Sequence, residues 1–138
     1  MADRILSWFI PGTPTSNTAR QGPTFYIESS YEPTAVRIYA EKAPTISDME
    51  IDIFDDGVSL FNNRRDEPGV NVKSFPLAKT TVLLPAGEHE ELDAEDFVGE
   101  DIEEGSWVYL IIPVSAGAQN ITIQLELEDA SEIEAIPE

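Results

Sequence analysis

The chain has 138 residues, 41% of them apolar, which is enough for one domain with its own core and too apolar for a disordered polymer. It holds no cysteine, so disulfides and thiolate metal sites are excluded. Its formal net charge is −19, all eight basic residues lie at or before Lys79, and sixteen acids follow with no Lys or Arg among them. That balance argues against the cationic surface that nucleic acid or an anionic membrane requires.

In chain order, residues 5–10 form the first apolar run, broken by Ser7. The run is far shorter than the roughly 20 residues of a membrane span, and it meets Pro11-Gly12 without a small-residue cleavage site. The expectation is a soluble chain without a secretion signal. Residues 1–22 also carry Pro14 and the Ser/Thr-rich run 13–18. Two readings stay open for them: an arm reaching a neighbouring subunit, or a plain edge strand followed by a loop.

Residues 24–28 are the next strand candidate. In residues 34–41, Val36, Ile38 and Ala40 alternate with Arg37, Tyr39 and Glu41; in residues 48–54, Met49, Ile51 and Ile53 alternate with Glu50, Asp52 and Phe54. A two-residue period marks strands with one buried and one wet face, and it sends Glu50 and Asp52 to water. Asp55-Asp56-Gly57 joins this strand to a candidate at 58–62, and an Asp-Gly pair tolerates the positive φ of a tight hairpin. Calcium binding at Asp55 and Asp56 is the chemical alternative. The Asp/Asn ladder and distal Glu of a calcium loop are missing, so the tip reads as a solvated turn.

Residues 80–84 are a further short strand. His89, the single histidine, sits in Gly87-Glu-His-Glu-Glu91 with no second His at ligand spacing, and reads as a solvated loop residue rather than a metal ligand. Residues 93–98 offer at most one short turn, and no window carries helical apolar spacing over three turns. Residues 107–112 are apolar on both sides, which places them mid-sheet or under a partner. Residues 120–127 alternate without a fault, and residues 129–138 form an acidic tail.

Short strands punctuated by turns predict an all-β chain, a single antiparallel β-sandwich. Residues 1–22 supply the arm and first strand, 23–128 the body and 129–138 the tail. No catalytic, cofactor-binding or metal-ligating residue is assigned. There is no Gly-rich phosphate loop or nucleophile elbow, and no carboxylate pair stands apart in an apolar setting. Trp8, Phe9, Phe25, Tyr26, Tyr31 and Tyr39 could supply an exposed platform for sugar rings, although core packing accounts for most of them. Tyr39, beside Arg37, is the best exposed candidate.

An ordered series of motifs carries a resemblance. Ala43-Pro44-Thr45 precedes the alternating strand at 49–53, then comes Asp56-Gly57-Val-Ser-Leu-Phe61. Leu84-Pro85-Ala86-Gly87-Glu88 follows, then Glu103-Glu104-Gly105-Ser106-Trp107, then Gly117 before the last alternating strand. Spread over most of residues 5–128, this series resembles structural proteins of tailed bacteriophages. It departs from them in the acids between Glu88 and Glu104 and in Ser106, where those proteins usually carry Asp. The resemblance implies a jelly-roll sandwich on the virion, as a head decoration or tail accessory, without enzymatic activity or cofactor.

The functional expectation is therefore a virion structural protein held by contacts to capsid or tail proteins. It would be a homo-oligomer such as a trimer, or would assemble only on the particle lattice, waiting in the host cytoplasm before assembly. Ile5, Trp8, Phe9, Ile10 and Tyr39 are the candidate partner contacts. The alternative is a carbohydrate-binding module for host attachment.

Overall fold

The alternation read from the sequence becomes two antiparallel sheets packed face to face in the computed structural model, which describes residues 3–14, 17–61, 82–93, 97 and 101–130. Nine strands follow in order. They are β1 (Arg4–Ile10), β2 (Asn17–Tyr26), β3 (Tyr31–Lys42), β4 (Met49–Asp55), β5 (Val58–Ser59), β6 (Val82–Leu84), β7 (Glu90–Asp93), β8 (Trp107–Val114) and β9 (Gln119–Asp129). The first sheet runs β1-β9-β3-β7. The second runs β2-β8-β4-β5, with β6 sharing the far edge of β4. The chain is an antiparallel β-sandwich.

The pairing is nested. β1 lies against β9, β2 against β8, β3 against β7 and β4 against β6, as if one long hairpin had been folded over on itself. Its innermost turn is the β4–β5 hairpin. There Asp56 (φ 50°) and Gly57 (φ 87°) are both left-handed, the backbone of a two-residue turn whose twist matches the flanking strands. The Asp-Gly reading of that turn holds.

Strand parity decides the core. Leu6, Trp8 and Ile10 of β1, Val36, Ile38 and Ala40 of β3, and Ile121, Ile123, Leu125 and Leu127 of β9 point inward from the first sheet. Met49, Ile51 and Ile53 of β4 and Val108, Leu110 and Ile112 of β8 meet them from the second. Trp8 also ties the layers together. Its indole N–H donates to the Pro23 carbonyl at 2.8 Å, and its ring meets Phe25 edge-on at 5.2 Å. Trp8 and Ile10, expected as partner contacts, are thus core residues. Both faces of the 5–10 run carry apolar side chains, and the face with the indole turned inward.

Two other expectations change. Asp52 is fully buried rather than wet, because the outer face of the second sheet is itself covered at its centre, where Phe54, Tyr109 and Ile111 form a second apolar cluster. Buried Asp52 accepts a hydrogen bond from the Ser59 hydroxyl at 2.6 Å, and that hydroxyl accepts one from the Phe61 N–H at 3.1 Å. Within residues 1–22, Arg4–Ile10 form an edge strand, β1, paired with β9. Residues 17–22 are not loop but the start of β2. Residues 62, 80–81, 94–96, 98 and 131–138, which fall in the expected strands, turn and tail, lie outside the described residues.

Candidate functional site

Three surface regions gather functional side chains. The first surrounds the β4–β5 turn. Asp55, Asp56, Ser59, Asp101, Glu103 and Glu104 line a hollow of about 400 Å³. Asp56 completes the turn: its Oδ1 accepts from the Trp107 N–H at 2.9 Å, and its own N–H donates to the Trp107 carbonyl at 2.9 Å. Asp55 is different. It is half-buried, and its Oδ1 is sealed from water with no hydrogen-bond partner. Burial pushes its carboxyl above the ordinary 3.8; the Ser106 hydroxyl pulls it part of the way back, and the charges of Asp56 and Glu103 push it up further. The turn is therefore solvated at Asp56 but not at Asp55. Among the described residues, no three His, Asp or Glu side chains are grouped so that they could hold a metal ion.

His89 lies just before β7. Its backbone carbonyl accepts from the Ala40 N–H at 2.8 Å, and its Nδ1 lies 3.0 Å from the Ala40 carbonyl. These bonds extend the β3–β7 pairing, which positions the ring through the backbone of β3.

The second region is the outer face of the first sheet. Parity turns Ile5 and Phe9 of β1, Tyr39 of β3 and Leu92 of β7 outward, and each keeps half or more of its surface in solvent. Phe9 and Tyr39 flank Thr122 of β9 in one cross-strand row. Arg37, bonded to Glu126 at 2.6 Å, sits beside Leu92 in the next row. Three of the five expected contacts, Ile5, Phe9 and Tyr39, are therefore brought onto one face. Leu92 joins them and was missed, because the acidic stretch around it shows no strand pattern.

The third region lies at the edge of the second sheet, where Tyr26 closes β2 opposite Trp107, the first residue of β8. Both residues are 50% exposed, their rings 5.0 Å apart and inclined at 62°. Arg20 lies over the Tyr109 ring, its guanidinium carbon 3.8 Å from the ring centre. Of the aromatic residues singled out in the sequence, Trp8 and Tyr31 are buried and Phe25 packs on the core, whereas Phe9, Tyr26 and Tyr39 are exposed. Trp107 reads as part of an apolar strand, and nothing in its local sequence sets it apart.

Comparison of the chain with protein-family models, curated proteins and solved structures finds no match.

Proposed function

We propose that this chain is a non-enzymatic structural module of a tailed-phage particle, a jelly-roll sandwich attached to a capsid or tail protein through the outer face of its first sheet. One observation carries the reading. Ile5, Phe9, Tyr39 and Leu92 stand half-exposed on a single sheet face, in a chain whose charge would otherwise keep its surface wet. The nested strand pairing supports the jelly-roll assignment, and the ordered motif series from Ala43 to the last strand supports the phage origin.

The magnitude of that contact favours a lattice. Covering the exposed halves of four such side chains is worth roughly 3–5 kcal/mol in total. The loss of rigid-body freedom on association costs about as much or more, so a single copy would bind weakly. A homo-oligomer, or an array of neighbouring sites on a particle, converts the same contact into firm attachment through effective concentration. Edge strand β1, paired only with β9 among the described residues, adds main-chain groups to the same side of the molecule.

Quantitative mass spectrometry of purified particles tests this. The protein should be present at a fixed ratio to the major capsid or tail protein. The double substitution Phe9→Asp with Tyr39→Asp, at two exposed positions, should cut incorporation by at least an order of magnitude. Absence from washed particles, or undiminished incorporation of the double variant, would end the proposal.

A further inference from the structure

The second sheet carries a cleft that the attachment face does not use, and we infer that it is a binding site for a neutral saccharide. Arg20, Thr24, Asp56, Gly57, Trp107 and Tyr109 line this hollow of about 680 Å³, and the Tyr26 ring packs against Trp107. That size accommodates one or two sugar rings.

The chemistry of each wall narrows the ligand. Trp107 and Tyr26 offer exposed aromatic surface, and a pyranose has an apolar face of C–H groups that stacks on such a ring. Because the two rings are inclined at 62°, they cannot both lie flat against one sugar. Trp107, which lines the cleft, is the ring that stacks, and Tyr26 braces it from the side. Trp107 is fixed in position, since its N–H and its carbonyl are both bonded to Asp56. Arg20 is pre-set as well. It rests on Tyr109 and pairs with no carboxylate among the described residues, whereas Arg4 pairs with Glu28 and Arg37 with Glu126. In a chain with 27 acids and eight bases, an arginine held on an aromatic face with no carboxylate ion pair among the described residues has N–H donors available to a ligand. Asp56, which is exposed and lines the cleft, offers the complementary carboxylate acceptor.

Charge decides the class. Asp56 also lines the neighbouring hollow with Asp55, Asp101, Glu103 and Glu104, so an anionic ligand would meet a concentrated negative field. A cationic ligand would meet Arg20. A neutral polyol suits both, because each hydroxyl accepts from the arginine or donates to the aspartate.

The test uses the full chain on an array that carries neutral galactose-, glucose- and mannose-terminated oligosaccharides, sialylated oligosaccharides and glucosamine oligomers. The best neutral probe is then followed by titration calorimetry. The expected result is retention of neutral probes. Trp107→Ala and Arg20→Met should each weaken binding roughly tenfold or more, while Leu92→Ala on the other sheet leaves it unchanged. Binding should also shift the tryptophan emission to shorter wavelength, because Trp107 is half-exposed and Trp8, the other tryptophan, is already buried. Should Trp107→Ala disturb the start of β8, the exposed Arg20→Met still answers the question. Retention of only sialylated or only glucosamine probes, retention of none, or unchanged affinity in the Arg20→Met variant would overturn the inference.

Discussion

Replacing Asp55 with Asn separates two meanings of the acidic turn. In the fold, the carboxyl of Asp55 sits above its ordinary 3.8, chiefly because burial penalises the charged form. A raised acid pKa means that the ionised group is worse off folded than unfolded. Its contribution to stability therefore falls as pH rises from the unfolded value through the raised one, and the full penalty is present at neutral pH. The half-exposed position lets solvent screen part of that penalty, so Asp55→Asn should be modestly more stable than the parent at neutral pH. The gain should shrink as the solution is acidified through the raised value and vanish below the ordinary 3.8, where the carboxyl is neutral both folded and unfolded. Urea denaturation followed by tryptophan fluorescence, repeated across that range, measures it; urea adds no ionic strength. A variant no more stable than the parent at neutral pH, or a difference that persists in acid, would refute the burial argument. So would calcium stabilising the parent and not the variant, because the carboxylate would then be a ligand.

Further outcomes follow from the packing and the charge. Asp52→Ala removes the acceptor of the Ser59 hydroxyl from a fully buried position, so it should cost about 2–3 kcal/mol in urea denaturation. Ser59→Ala combined with it should cost less than the two separately, and strict additivity would mean the pair does not act as a unit. Gly22→Ala places a Cβ 3.3 Å from both Trp8 and Ile10 at a φ of +72°, so about 1–3 kcal/mol should be lost. An unchanged midpoint would show that the β2 bend is not held against Trp8. Finally, because a net charge of −19 repels itself, the thermal midpoint should rise when sodium chloride is raised from low to molar concentration; a flat or falling midpoint would contradict that.

Parity was legible and wetness was not. The inward and outward sets of β3, β4 and β9 can be read from the sequence residue by residue, because a period of two assigns each side chain to a face. What covers the outer face is a tertiary matter. Asp52 lies on the side that parity assigns it, yet it is dry because Phe54, Tyr109 and Ile111 cluster there. The same covering explains β8: its two apolar sides fit a central strand between β2 and β4, one of the two places expected for it. The early part of β2 carries no alternation and a Gly-Pro step, so its strand character comes from the edge of β8 against which it pairs, with register shifts on either side of Arg20-Gln21. β7 is likewise a strand by virtue of β3, since Glu90-Glu-Leu-Asp93 has no strand propensity to announce it.

The cleft was illegible for a different reason. Tyr26 and Trp107 lie far apart in the chain, and what joins them is the nested order that sets the end of β2 beside the start of β8. That order also brings the β4–β5 turn to the same end of the sandwich, which is why Asp56 can shape the turn, hold Trp107 and face the cleft at once. The first sheet is differently placed. Its outward residues lie on a regular ladder and offer breadth rather than depth, as a contact with another protein surface needs. The cleft sits at strand ends, where a turn and a register shift open depth and aim side chains, as a small ligand needs. The two surfaces lie on opposite sheets, so attachment through one leaves the other facing outward. Substitutions at Phe9 and Tyr39 should therefore change particle incorporation without changing saccharide affinity, and those at Trp107 and Arg20 should do the reverse.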